Sequence, residues 1–257
     1  MSMGPPPGAS AEPLDGLPDG TREAAPPALE LGALHYHYPD GTLALEGVSL
    51  RIAEGERVAL LGANGAGKST LLLALAGIVR AEGEVSVLGE ALTDESLPRL
   101  RARVGLLFAN PDDQLFSPTV FDDVAYGPLY MGLDEGEVRG RVEEALTAVG
   151  LADLAARAPH RLSLGQRRRA ALATVLSMGA PILVLDEPSA SLDPAARRRL
   201  VALLGELGRT QLIATHDLAL AAELCPRSVL LDAGRVVADG ATDELLADAA
   251  LLERHGL

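Results

Sequence analysis

A chain of 257 residues that is 48% hydrophobic holds enough apolar material for one large domain, or for a domain carrying a sub-domain. Its 22 basic and 36 acidic residues leave a formal net charge of −14, which argues against a general nucleic-acid coat and requires any phosphate site to be local and built largely from backbone. The single cysteine, Cys225, excludes an intrachain disulfide framework and a multi-cysteine zinc site, suits a reducing cytosol, and reads as a core thiol. Residues 1–27 lack the basic start and apolar stretch of a signal peptide, and their Pro/Gly/Ala bias predicts a disordered tail before a domain over 28–257. Next, HYHYPDGTLAL places His35 and His37 on one face of a strand, where two isolated histidines rarely bind metal. The apolar runs VSLRI, VALLG, EVSVLG, VGLLF, PILVLDE, QLIATHD and SVLLDAG then alternate with helical patterns such as KSTLLLALAGIV, which predicts an α/β domain with a largely parallel sheet. Between about 95 and 160 the pattern turns predominantly helical and reads as a helical sub-domain inserted into the sheet domain. Runs such as LLLALAGIV are too short to cross a bilayer, so any membrane role falls to a partner.

VALLGANGAGKSTLLLAL carries Gly62, four intervening residues, then Gly67, Lys68 and Ser69, which is the phosphate-loop spacing after a strand and before a helix. Glycines let such a loop turn its N–H groups inward on phosphate oxygens, the helix N-terminus adds partial positive charge, and Lys68 adds a full one. Ser69 is placed to ligate Mg²⁺. Downstream, PILVLDEP ends a buried strand in Asp186 and Glu187, whose side chains alternate across the pleat. In P-loop NTPases such an aspartate holds Mg²⁺, usually through water, and a following glutamate can polarise the attacking water. LSLGQ, at 162–166, precedes a helical run, and a Ser-x-Gly at a helix start is a second anion-binding arrangement. ATHD places His216 at another strand end, within reach of a γ-phosphate from a neighbouring strand. The RRR runs at 167–169 and 197–199 read as solvated helix faces.

Together these segments resemble the ATP-binding-cassette ATPases over residues 29 to 250. GANGAGKST looks like Walker A (Gly62, Asn64, Gly65, Ala66, Gly67, Lys68, Ser69, Thr70) and ILVLDE like Walker B. LSLGQ looks like the signature, with Ser163, Gly165 and Gln166 kept and Leu164 replacing a usual glycine; SLD resembles the D-loop with Asp193, and THD the switch histidine. The resemblance implies a P-loop core with a mostly parallel sheet, an antiparallel β subdomain and an inserted helical subdomain. It also implies ATP and Mg²⁺ as cofactors, with Ser69 and Asp186 on the metal and Glu187, His216 and Lys68 as catalytic residues. Two such domains, identical or different, would sandwich two nucleotides, so that Ser163 and Gly165 face one held by the partner. An aromatic near the domain start is expected to stack on adenine, and of Tyr36 and Tyr38 the second, just before the proline, is favoured.

Within that superfamily, VGLLFANPDDQLFSPTVFDDVAYGP closely resembles the energy-coupling-factor importers, especially cobalt and nickel transport ATPases. DDQLF and DDVAYGP then look like the region that docks a membrane-embedded coupling subunit, beside a substrate-binding membrane subunit; the alternative is a solvated loop before a capped helix. Ala109 stands where the family has its Q-loop glutamine. A slowed site, substitution by Asn110 or Gln114, or a better site in the partner subunit would each account for it. The expected function is that of an ATP-hydrolysing subunit at the cytoplasmic face of the membrane, powering uptake of cobalt, nickel or a vitamin, with no nucleic-acid partner. The competitors are a soluble cassette ATPase acting on ribosomes or DNA, and a slow nucleotide-binding partner subunit.

Overall fold

The computed structural model describes Met1 and residues 26–257; the tail expected over 1–27 otherwise lies outside the described residues. The strands are β1 (Leu29–His37), β2 (Leu43–Ile52), β3 (Arg57–Leu61), β4 (Glu82–Val87), β5 (Glu90–Ala91), β6 (Val104–Leu107), β7 (Ile182–Asp186), β8 (Thr210–Thr215), β9 (Arg227–Asp232) and β10 (Arg235–Ala241). The helices are α1 (Lys68–Leu75), α2 (Leu97–Arg101), α3 (Val120–Tyr130), α4 (Glu135–Ala148), α5 (Leu164–Ser177), α6 (Pro194–Glu206), α7 (Leu218–Leu224), α8 (Thr242–Ala247) and α9 (Ala249–Arg254).

The strands form two sheets. One is antiparallel in the order β2-β1-β4-β5; the other runs β10-β9-β3-β8-β7-β6, parallel throughout except for β10. The sequence pattern separates them. In β2, Val48, Leu50 and Ile52 are buried while Ser49 and Arg51 are exposed, as expected of a sheet covered on one face. Every residue of β7 and β8 is buried, as required of strands covered on both faces. Alternate side chains of the large sheet enter different cores. Val58, Leu60, Ile182 and Val184 pack with α1 and the antiparallel sheet, whereas Ala59, Leu61, Leu183 and Leu185 pack with α3 to α7. Asp186 continues the Ile182–Val184 side, toward α1.

The predominantly helical stretch contains β6, which pairs in parallel with β7 as the edge of the large sheet. After it, α3, α4 and α5 pack on one another through Val124, Val138, Val142, Leu146, Leu172 and Val175. Local signals set their starts. Thr119 caps α3 by accepting from Asp122 N, and Asp134 and Glu137 form a reciprocal capping box at α4.

Candidate active site

The phosphate loop leaves β3 at Leu61 and enters α1 at Lys68. Two of its glycines are fixed by crowding. A Cβ on Gly62 would lie 2.3 Å from the Leu231 carbonyl oxygen, and one on Gly67 would lie 2.5 Å from that of Ala44, with Gly67 at φ 103. Gly67 is the N-cap of α1 and no side chain caps that end, so the first amides of the helix lack both an intrahelical partner and a side-chain substitute. The Lys68 ammonium folds back over the loop, donating to the carbonyls of Gly62 (2.6 Å) and Ala63 (3.1 Å). Burial pushes its pKa down, opposed by the charges of Glu187 and Asp186. Ala66 is buried, and its carbonyl accepts from Gly234 N.

Asp186 ends β7 beneath this loop. Burial raises its carboxyl pKa and the Glu187 charge adds to the rise, while Ser69, Lys68 and Arg168 oppose it. Its Oδ1 is buried without a hydrogen-bond partner. An orphaned carboxylate oxygen beside the Ser69 hydroxyl is the oxygen-rich, hard donor set that Mg²⁺ takes together with water and substrate phosphates, so the residues present fit that ion.

Glu187 follows at φ 48, a left-handed conformation uncommon for a non-glycine residue. Its carboxylate is held by β8. The Thr215 hydroxyl donates to Oε2 (3.1 Å), and His216 reaches Oε1 through its backbone N–H (3.1 Å) and ring Nδ1 (2.7 Å). A carboxylate on Nδ1 assigns the ring proton to that nitrogen and leaves Nε2 free to face outward. Tyr38, 40% exposed, bonds through its hydroxyl to Thr70 Oγ1 (2.7 Å) and meets Tyr36 edge-on at 5.3 Å. Its ring is thereby fixed relative to the start of α1. Tyr38, Asn64, Gly65, Lys68, Ser69 and Asp186 share the wall of an open cleft of about 460 Å³, in which Gly67, Thr70, Ala109 and Glu187 also take part.

Ser163, Gly165, Gln166 and Asp193 do not line that cleft. Ser163 caps α5, accepting from Gln166 N, and Gln166 Oε1 returns a bond to Ser163 N. Leu164, in the place of the usual signature glycine, is 43% exposed. Gly165 packs toward Ser191, whose carbonyl would lie 3.2 Å from an added Cβ. Asp193 caps α6, and the N–H groups of Ala196 and Ala195 hold its carboxyl below the usual range.

Two sequence readings change. The Gln114 amide is not free to replace a glutamine at 109, and the Asn110 oxygen is taken by a local bond. Gln114 accepts from Phe108 N and donates to Thr174 Oγ1 (2.7 Å) and the Ala171 carbonyl, bracing the loop against α5, while Asn110 turns onto Asp112 N. The arginine runs are also more than solvated faces. Arg167 bonds the Leu162 carbonyl, Arg169 those of Val149 and Gly150, Arg197 pairs with Asp217 and Glu223, and Arg168 is buried. A signal for Arg168 was available, since Ala171, Leu172 and Val175, at i+3, i+4 and i+7, are all apolar.

A phosphate loop, a strand ending in Asp-Glu and a histidine-bearing neighbouring strand, joined to an antiparallel sheet and a helical layer, define an ATP-binding-cassette ATPase. A profile of the ABC transporter family matches residues 45–190. The energy-coupling factor transporter ATP-binding protein EcfA of Carboxydothermus hydrogenoformans is 50% identical over 234 residues, covering 90% of this chain and 86% of that one. The cobalt import ATP-binding protein CbiO of Rhodobacter capsulatus is 48% identical over 237 residues, covering 90% and 85%. Among solved structures, CbiO1 of Clostridium perfringens, part of the ABC transporter complex CbiONQ, matches with TM-score 0.76 and 38% identity over 89% of this chain and 94% of that one. The dimeric cassette MJ0796 in a post-hydrolysis state with ADP and Pi matches with TM-score 0.77 and 30% identity, covering 83% and 98%. The chain belongs to the ABC transporter family. It is an ATP-hydrolysing P-loop subunit of the type that includes EcfA and CbiO.

Proposed function

We propose that this subunit powers an energy-coupling-factor importer whose cargo is a transition-metal ion, cobalt or nickel. It works as one half of an ATPase dimer beneath a membrane-embedded coupling subunit, which sits beside a substrate-binding membrane subunit. The observation that carries the chemistry is the fixed carboxylate of Glu187, anchored by Thr215 and His216 at the edge of the cleft that Lys68, Ser69 and Asp186 share. In this reading the bare N-terminus of α1 and Lys68 bind the β- and γ-phosphates, Tyr38 stacks on adenine, and Glu187 polarises the attacking water with His216 holding its carboxylate in place. Ser69 and Asp186 would hold Mg²⁺, which would offset the charge of the transferring phosphoryl group. Ser163, Gly165, Gln166 and Asp193 serve a nucleotide bound by the second ATPase.

The cargo reading draws on the relative named for cobalt import. Docking is supported by an exposed apolar surface. Phe116, 68% exposed, meets Tyr126 edge-on at 5.2 Å, Leu129 and Tyr130 stand exposed beside them, and Tyr126 also borders an apolar cleft with Ile78 and Phe108. Among the described residues no helix is long and apolar enough to cross a membrane, so spanning segments would come from the companions. Glu187→Gln in the complex extracted from membranes is expected to lower steady-state hydrolysis by about 10²- to 10⁴-fold while ATP binding persists. Turnover within a few-fold of the unmodified complex would end this assignment.

A further inference from the structure

α5 carries a buried cation aimed at the catalytic strand. Arg168 is 6% exposed, and its Nη1 donates to the backbone carbonyl of Glu187 at 3.1 Å. We propose that Arg168 is a positioning residue for hydrolysis, fixing the backbone of Glu187 and tying it to the helix that begins at Ser163. The inference rests on Glu187 as the residue that polarises water.

Glu187 needs holding. Its left-handed backbone is strained for an L-residue and persists only where the surroundings over-determine it. Its N–H is bonded to the Ala214 carbonyl (2.9 Å), and its carboxylate is held by Thr215 and His216. All of those bonds come from β8 and its end. The carbonyl accepts from Ala190 N within its own turn (3.2 Å) and from Arg168, and the bond to Arg168 is the one that ties Glu187 to another layer.

Arg168 is an expensive way to fill that space. Burial pushes its pKa down against the opposing charges of Glu187 and Asp186, and its Nε is buried without a partner. An apolar side chain of similar volume would pack there without that cost. What the guanidinium supplies, and an apolar group cannot, is a charged donor to the Glu187 carbonyl and a positive charge near two carboxylates. Arg168 also lies five residues beyond Ser163 on the same helix, about 7.5 Å along its axis. A rigid helix displaced at Ser163, when a partner's nucleotide seats there, therefore pulls on the backbone of this subunit's own Glu187. Catalytic geometry tolerates little of this, since a 1 Å displacement can cost about 10²-fold.

The test compares Arg168→Met, which keeps length without donor or charge, with Arg168→Lys, which keeps both, in the full-length chain recovered with its membrane companions. Arg168→Met is expected to lower kcat about 10- to 100-fold with KM for ATP within about threefold and an unchanged Tm. Arg168→Lys is expected to recover to within about fivefold of the unmodified protein. Wild-type kcat in Arg168→Met overturns the inference, and so does an equal loss in both variants that follows a lowered Tm, which marks packing alone. Glu187→Gln, run alongside, keeps the two readings apart: if it still turns over, the assignment of Glu187 fails, whereas an inactive Glu187→Gln beside a fully active Arg168→Met removes only the role of Arg168.

Discussion

The starts of α1 and α5 are both helix N-termini that the sequence marks for anions, yet they are finished differently. α1 opens on Gly67 with no side-chain cap, under a buried lysine and at the wall of a cleft. α5 opens on the exposed Ser163, already closed by a reciprocal bond with Gln166, away from that cleft. An uncapped terminus presents free N–H groups, so the first end is ready for phosphate within one chain. In the second, the Ser163 hydroxyl accepts from Gln166 N but keeps its own hydrogen, so it can donate to a phosphate without breaking its cap. In the proposed reading, one end binds nucleotide alone and the other meets a nucleotide brought by a second ATPase subunit.

Lys68→Ala should break the first end most severely, lowering turnover by about 10²- to 10³-fold and weakening nucleotide binding to the isolated chain, as read by fluorescent ATP titration. Ser163→Ala should act only on the second end. Turnover of the assembled complex is expected to fall about 10- to 100-fold, while titration of the isolated chain gives the unmodified affinity. If Ser163→Ala weakened binding to the isolated chain as Lys68→Ala does, the two ends would not be distinct. Ala109→Gln sharpens the picture from within the cleft. With the Gln114 amide bracing the loop and the Asn110 oxygen turned onto Asp112 N, a new amide at 109 is expected to raise kcat about 10-fold or more by ordering the metal and water region. An unchanged rate in the assembled complex would show that the alanine is not limiting.

The sequence made the first end legible because its chemistry is local. Gly62, Gly67, Lys68 and Ser69 lie in one short loop, and the order strand, loop, helix shows their setting. Asp186 and Glu187 were readable because an unbroken apolar strand delivers them. What sequence could not give was the state of groups that meet across layers. The left-handed backbone of Glu187, its anchoring by Thr215 and the insertion of Arg168 depend on β8 and α5 arriving from distant parts of the chain. Gln114 looked like a spare catalytic amide because nothing local shows that Thr174 and Ala171 occupy it. In the fold, β10 escaped notice because it is a half-exposed edge strand whose residues alternate between exposed and partly buried without a strong apolar run. β5, two residues long, carries too little pattern to read at all.

Native mass spectrometry of the membrane-extracted complex, carrying Glu187→Gln and saturated with Mg-ATP, tests the division of labour between the two ends most directly. Two ATPase subunits per assembly with trapped nucleotide, lost when Ser163→Ala is added, is the predicted result. A single ATPase subunit holding its nucleotide as tightly with Ser163→Ala as without it would contradict the account.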